Sequence, residues 1–277
     1  MFTNLRPVPL ALTVLFLSLT AQGVSPDGGD PKGLSASEDP QGLSASEEHR
    51  LIDEATIARK AKDYRRAREI LEPLAAAGSP YAQFNLGVIY SEGLGVPVDY
   101  EKAHQLWEQA AEAGIAQAQN NLGRQYFIGQ GGPLDRDKAL RWYTKAAEGG
   151  SPEAQSNLAQ IYESGLGTPK DPTKARYWYE QSAAAGNVKA KYALGAMLLL
   201  GNGGPKEPVR ARQLTREAAK AGQPEAMVNL GIALATGNGG PKDVEQAKFW
   251  FRQAAAQDKD PDVKARAEKI LRGELED

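Results

Sequence analysis

The 277-residue chain contains no cysteine. That single absence excludes disulfides, thiolate metal sites, a cysteine nucleophile and a lipoprotein anchor. Histidine is almost as scarce, with His49 and His104 the two present. His49 lies beside an N-terminal linker, so the folded body cannot assemble a multi-histidine metal site. No serine has a visible partner base. These gaps describe a non-enzymatic chain that needs no cofactor and no metal. A large excess of one charge is missing as well: 33 Lys and Arg against 35 Asp and Glu leave a net charge of −2. A nucleic-acid surface needs clustered positive charge, so nucleic acid is not an expected partner. Asn-x-Ser/Thr acceptors are absent too. No apolar run reaches the roughly 20 residues that cross a membrane as a helix.

The start of the chain carries what apolar run there is. Arg6 precedes Leu10–Leu19, and Ala21 and Gly23 offer small residues for cleavage. Residues 1–23 therefore read as a signal peptide, which implies a periplasmic or secreted protein. A membrane enters only through a signal left uncleaved as an anchor. The lack of cysteine and of glycosylation acceptors fits a bacterial periplasm. Residues 24–48 read as a disordered linker. Gly, Ser, Pro and Asp dominate it, and GLSASE occurs twice, at Gly33–Glu38 and Gly42–Glu47.

The rest of the chain is organised by a repeat. Leu86 recurs as Leu122, Leu158, Leu194 and Leu230, a step of 36 residues. Gly93 recurs as Gly129, Gly165, Gly201 and Gly237, and Ala103 as Ala139, Ala175, Ala211 and Ala247. A fixed period in this range is the signature of a repeat architecture.

Each unit predicts two helices. Ala82, Leu86, Ile89 and Tyr90 form an apolar stripe at helical spacing. A small residue follows the leucine in every copy: Gly87, Gly123, Ala159, Gly195 and Gly231. Glycine costs a helix about 1 kcal/mol against alanine, so close approach of a neighbouring helix is expected there. The first helix stops at Gly93 and Gly95, with Pro97 beyond. Asp99, Asp135, Asp171, Glu207 and Asp243 stand where the second helix needs an N-cap. The second helix carries Ala103, Leu106, Trp107, Ala110 and Ala111 on one face and ends at Gly114. Ala103 and Ala111 leave room for a large residue from the next helix, which the aromatics Trp107, Tyr143, Tyr179 and Phe251 are expected to fill.

This pattern, A-x-x-x-L-G-x-x-Y-x-x-G-x-G, then an acid, then A-x-x-x-W/Y-x-x-A-A-x-x-G, resembles the Sel1-like repeat, a relative of the tetratricopeptide repeat. Tyr81 to Gly114 matches it nearly position for position. The resemblance implies an all-α fold, a right-handed α/α superhelical solenoid of helix–turn–helix repeats with a 36-residue period. Five repeats occupy residues 79–258. Residues 49–78 keep the register in their second half (Ala67, Leu71, Ala75, Gly78) and resemble a tetratricopeptide-like capping hairpin. Residues 259–277 read as a C-terminal capping helix, with Val263, Ala267, Ile270 and Leu271 on one face.

Three polar features invite a chemical reading. GNGGPK, at Gly201–Lys206 and Gly237–Lys242, has glycines and a lysine but not the order of a phosphate loop, and recurs as a turn. The capping acids lie one repeat apart, too far for a catalytic carboxylate pair. Asn85 recurs as Asn121, Asn157 and Asn229, with Ala193 breaking the series. It lies one residue before the core leucine and so off the buried stripe. By resemblance, first helices line a concave groove, which would display Asn85, Asn121, Asn157 and Asn229. Phe84, Asn120, Ser156 and Tyr192 would stand beside them, with Arg124 and Gln160 one turn on. Amides can bond both edges of a bound backbone, or they can brace the adjacent repeat.

Sel1-like proteins act as scaffolds for protein complexes, and exported bacterial ones are associated with envelope assembly, signalling and host contact. The resemblance therefore implies an adaptor that holds another protein or peptide in its groove. The alternative is a cell-wall glycan or muropeptide binder, since amide and aromatic side chains also suit sugars. Related helical-repeat proteins described as binding or hydrolysing β-lactams supply a third reading, a β-lactam-hydrolysing enzyme.

Overall fold

A computed structural model describes residues 43–258 and 260–274. The signal peptide read over residues 1–23 and the linker up to residue 42 lie outside the described residues. Thirteen helices and no strand occur among the residues described. They run in pairs: α1 (Ala45–Lys60) with α2 (Tyr64–Ala76), α3 (Pro80–Glu92) with α4 (Tyr100–Glu112), and α5 (Ala116–Ile128) with α6 (Arg136–Glu148). Then come α7 (Pro152–Ser164) with α8 (Pro172–Ala184), α9 (Val188–Leu200) with α10 (Pro208–Lys220), α11 (Pro224–Thr236) with α12 (Val244–Ala255), and a last helix, α13 (Pro261–Arg272).

The described residues divide into two compact units, one ending at Ala154 and the other beginning at Gln155. In the first, α1 to α6 pack in chain order, each on its successor. In the second, α8 to α13 do the same, and α11 also touches α13.

The helix boundaries follow from local chemistry. Gly93, Gly129, Gly201 and Gly237 end the first helices in the left-handed region, at φ of 67°, 70°, 80° and 83°. A side chain there would be strained, and glycine is not. Asp99, Asp135, Asp171 and Asp243 cap the second helices, each Oδ1 accepting from the backbone N–H three residues on at 2.9 Å. Glu207 caps nothing. Its longer side chain turns instead to Arg176 and Arg210.

Three expectations need correction. The linker ends earlier than residue 48, because α1 starts at Ala45. Ser44 Oγ accepts from the Glu47 backbone N–H at 3.3 Å, and Glu47 Oε2 accepts from the Ser44 N–H at 3.0 Å. This capping box, S-x-x-E, satisfies two orphan donors at once. It is formed by the second GLSASE, so that copy is a helix start.

The first helices are also buried far beyond one stripe: in α3 every residue from Tyr81 to Ser91 is buried. A first helix packs against both its own second helix and the one before, α4 and α2 for α3, leaving little surface free.

Finally, the large aromatics fill space within their own repeat. A Cβ placed on Gly87 would lie 2.5 Å from Trp107 Nε1, and one on Gly231 would lie 2.5 Å from Phe251. Tyr143 stands over Gly123 in the same way, at 3.1 Å, and Tyr179 shares a core cluster with Ala159. Glycine thus lets the two helices of a hairpin close on a ring. Trp107 is fully buried, and its indole N–H donates to the Phe84 carbonyl at 3.1 Å. The fourth repeat has Thr215 in the ring position, its hydroxyl donating to the Ala211 carbonyl at 2.8 Å.

Candidate partner-binding surfaces

The residues expected to line a groove fall into two groups. Phe84, Asn85, Asn120, Asn121, Tyr192 and Asn229 are buried, whereas Arg124, Ser156, Asn157 and Gln160 are half-buried. Asn85 does not stand clear of the protein, because the all-round packing of α3 covers even positions off the leucine stripe. Its Nδ2 donates to the Tyr81 carbonyl at 2.9 Å, one turn back in its own helix. Asn229 donates to the Tyr192 hydroxyl at 3.2 Å, joining α11 to α9 across adjacent repeats. At that position the amide braces. Burial raises the Tyr192 hydroxyl pKa well above the usual phenol range, so it stays neutral and able to accept and donate. The polar residues Ser156, Asn157 and Gln160 of α7 are only partly buried.

Sequence reasoning passed over a second set, a planar side chain that the first, third and fourth repeats send into the turn of the next. Arg176 on α8 donates from Nη1 to the Pro205 carbonyl at 2.9 Å. Arg212 on α10, 36 residues later, donates from both Nη atoms to the Pro241 carbonyl at 3.0 Å. His104 holds the same position on α4, and a Cβ on Gly132 would lie 3.4 Å from its ring. Its Nδ1 pairs with Gln125 Oε1 at 2.9 Å. A Cβ on Gly204 would lie 2.6 Å from Arg176 Nη1, and one on Gly240 would lie 2.7 Å from Arg212 Nη1. The third glycine of the G-x-G-G-P turn is therefore the seat of a planar cation. The signal was present in the chain: turns with that third glycine follow His104, Arg176 and Arg212, whereas Thr168 stands there after Leu140.

The surroundings of the two arginines differ. Arg176 is neutralised by Glu207 and by Glu180, whose Oε1 lies 3.6 Å from Nε. Arg212 faces Arg216 one turn on, where Arg176 has Glu180. Burial and the Arg216 charge lower the Arg212 pKa, against a smaller opposing pull from Asp243. Nothing in this geometry resembles a reaction centre. Among the described residues no group of three His, Asp or Glu side chains could hold a metal. The half-buried Glu163 carboxylate, its pKa raised by desolvation, accepts from the Tyr179 hydroxyl at 2.9 Å, a pair inside one hairpin.

The profile of the Sel1 repeat matches the chain five times, over residues 80–115, 116–151, 152–187, 188–223 and 224–259. The chain belongs to the Sel1 repeat family. Sel1 repeats build a helical solenoid that mediates protein–protein interaction and generally serves as a non-catalytic scaffold. The structure resembles a Sel1 repeat protein from Oxalobacter formigenes, 34% identical, with a TM-score of 0.70 over 79% of this chain and 86% of that one. It also resembles c5321, a protective antigen of uropathogenic Escherichia coli with the same repeat fold, 29% identical with a TM-score of 0.66. That alignment covers 76% of this chain and 49% of the antigen, so this chain spans about half its length. No curated protein matches the chain.

Proposed function

We propose that this Sel1 repeat protein is an exported, non-enzymatic scaffold of the bacterial cell envelope, and that the first-helix faces of its repeats receive a partner protein or peptide. The observation that carries the reading is the half-buried polar row of α7. Ser156, Asn157 and Gln160 are partly exposed polar residues on a helix whose counterpart α3 is buried from Tyr81 to Ser91. A half-exposed amide can exchange water for a partner's backbone, and paired donors and acceptors suit an extended peptide. Export is supported by the signal-like first 23 residues.

Site-specific photo-cross-linking in cells tests both parts. A photoreactive residue at Gln160 is expected to trap one defined envelope protein. The same probe at the exposed Lys189 is expected to trap none. Replacing Asn157 and Gln160 with alanine should remove the adduct while leaving Tm within about 2 °C, as for other surface changes. Adducts confined to cytoplasmic proteins, or equal trapping at both sites, refute the proposal. Co-sedimentation with purified sacculi, or turnover of nitrocefin, would replace it with the glycan or hydrolase reading.

A further inference from the structure

Beside Arg212 lies a cleft of about 480 Å³, formed by α10, the Gly237–Asp243 turn and the start of α12. Val209, Arg212, Arg216, Lys242 and Gln246 line it. Three cations thus face one small space, and the carboxylate there, Asp243, is engaged in capping α12. Arg212 is more than nine-tenths buried, and its Nε–H meets no acceptor among the described residues. Arg216 has no ion-pair partner there. Two arginines at i and i+4 repel each other, and burial sharpens the repulsion.

The preceding repeat displays how the same arginine is satisfied. At Arg176 two carboxylates close in: Glu180 from the position of Arg216, and Glu207 from the position of Asp243. At Arg212 the first has become a cation and the second is a methylene shorter and held by the helix end. The seat on the third glycine is retained, while one counter-ion is replaced by a cation and the other, Asp243, is committed to the cap of α12.

We infer that the cleft beside Arg212 and Arg216 binds a carboxylate supplied from outside the chain, an aspartate or glutamate side chain in an acidic segment of a partner protein. The carboxylate would take the place that Glu180 occupies one repeat earlier. Arg216 and Lys242 would meet it at the mouth, and Val209 would offer an apolar edge to the flanking residues. This site uses residues distinct from the α7 row, so its failure leaves the proposed function standing.

The test uses the purified full chain and a fluorescein-labelled peptide with four consecutive glutamates, followed by fluorescence anisotropy. A glutamine version of the peptide is the control, and inorganic phosphate at matched ionic strength is the competitor. The glutamate peptide is expected to bind at least about tenfold more tightly than the glutamine peptide, with phosphate competing poorly. Arg216→Glu rebuilds the arrangement around Arg176. It should keep or raise Tm while weakening peptide binding by tenfold or more. Arg216→Gln, which adds no charge of opposite sign, should give an intermediate loss. Binding that is absent in the wild type, indifferent to Arg216→Glu, equal for both peptides, or displaced equally well by phosphate overturns the inference.

Discussion

Replacing Gly87 with alanine sets two principles against each other. On helix propensity alone the change stabilises, by about 1 kcal/mol, since Gly87 lies inside α3. The tertiary structure reverses the sign. The new methyl would lie 2.5 Å from Trp107 Nε1 and 2.7 Å from Cδ1, inside van der Waals contact. The indole cannot stay where it is. Overpacking of this kind costs about 1–3 kcal/mol. Displacing the ring also strains its hydrogen bond to the Phe84 carbonyl, and a buried indole N–H left unpaired adds about 1–3 kcal/mol. Subtracting the propensity gain leaves a net loss of about 1–5 kcal/mol. At 2–4 °C per kcal/mol for a body of this size, a central loss of about 3 kcal/mol lowers Tm by about 6–12 °C. Thermal melting by circular dichroism, with a urea melt for the free energy, reads it. The double variant Gly87→Ala/Trp107→Tyr copies the Ala159–Tyr179 pairing of the third repeat and should recover at least about 1 kcal/mol relative to the sum of the single changes. Gly123→Ala should cost less than Gly87→Ala, because the methyl would meet Tyr143 at 3.1 Å. If Gly87→Ala raises Tm, ring-on-glycine closure is not what places glycine after the core leucine.

Trp107→Ala should cost about 3–5 kcal/mol, the range for a fully buried aromatic, and a urea melt showing less than about 1 kcal/mol would mean the ring is not core. Asp99→Ala removes the acceptor at the start of α4 and should cost about 1 kcal/mol, whereas Asp99→Asn, which keeps a capping oxygen, should lie close to wild type. Acid titration carries a sign. The Lys191 ammonium bonded to Glu217 at 2.8 Å holds that carboxyl below its ordinary value, against the opposing effect of burial. Its contribution is therefore complete above the unfolded carboxylate pKa near about 4.3 and is lost as pH falls through the lower folded value. Lys191→Gln should flatten the decline in Tm below pH 4.5; an unchanged acid slope would show that the pair contributes nothing.

The sequence by itself determined the period, the helix pairs, the glycine stops and the aspartate caps. Each depends on residues within a turn or two of one another, and 36-residue self-similarity repeats the message five times. It also carried the Sel1 resemblance, since the motif is made of those same local devices. Even the capping box at Ser44 and Glu47 was legible, although the duplicated GLSASE made it look like tether. Only tertiary structure decided what the small residue after the leucine is for, because its partner ring lies 20 residues on, in the other helix of the hairpin. The same holds for Asn229, whose position predicts display and whose contact with Tyr192 makes it a brace. It holds most for Arg176 and Arg212. One position in the period gives them one conformation, but the charge at 180 and 216, brought beside them by the helix turn, leaves the first neutralised and the second facing another cation.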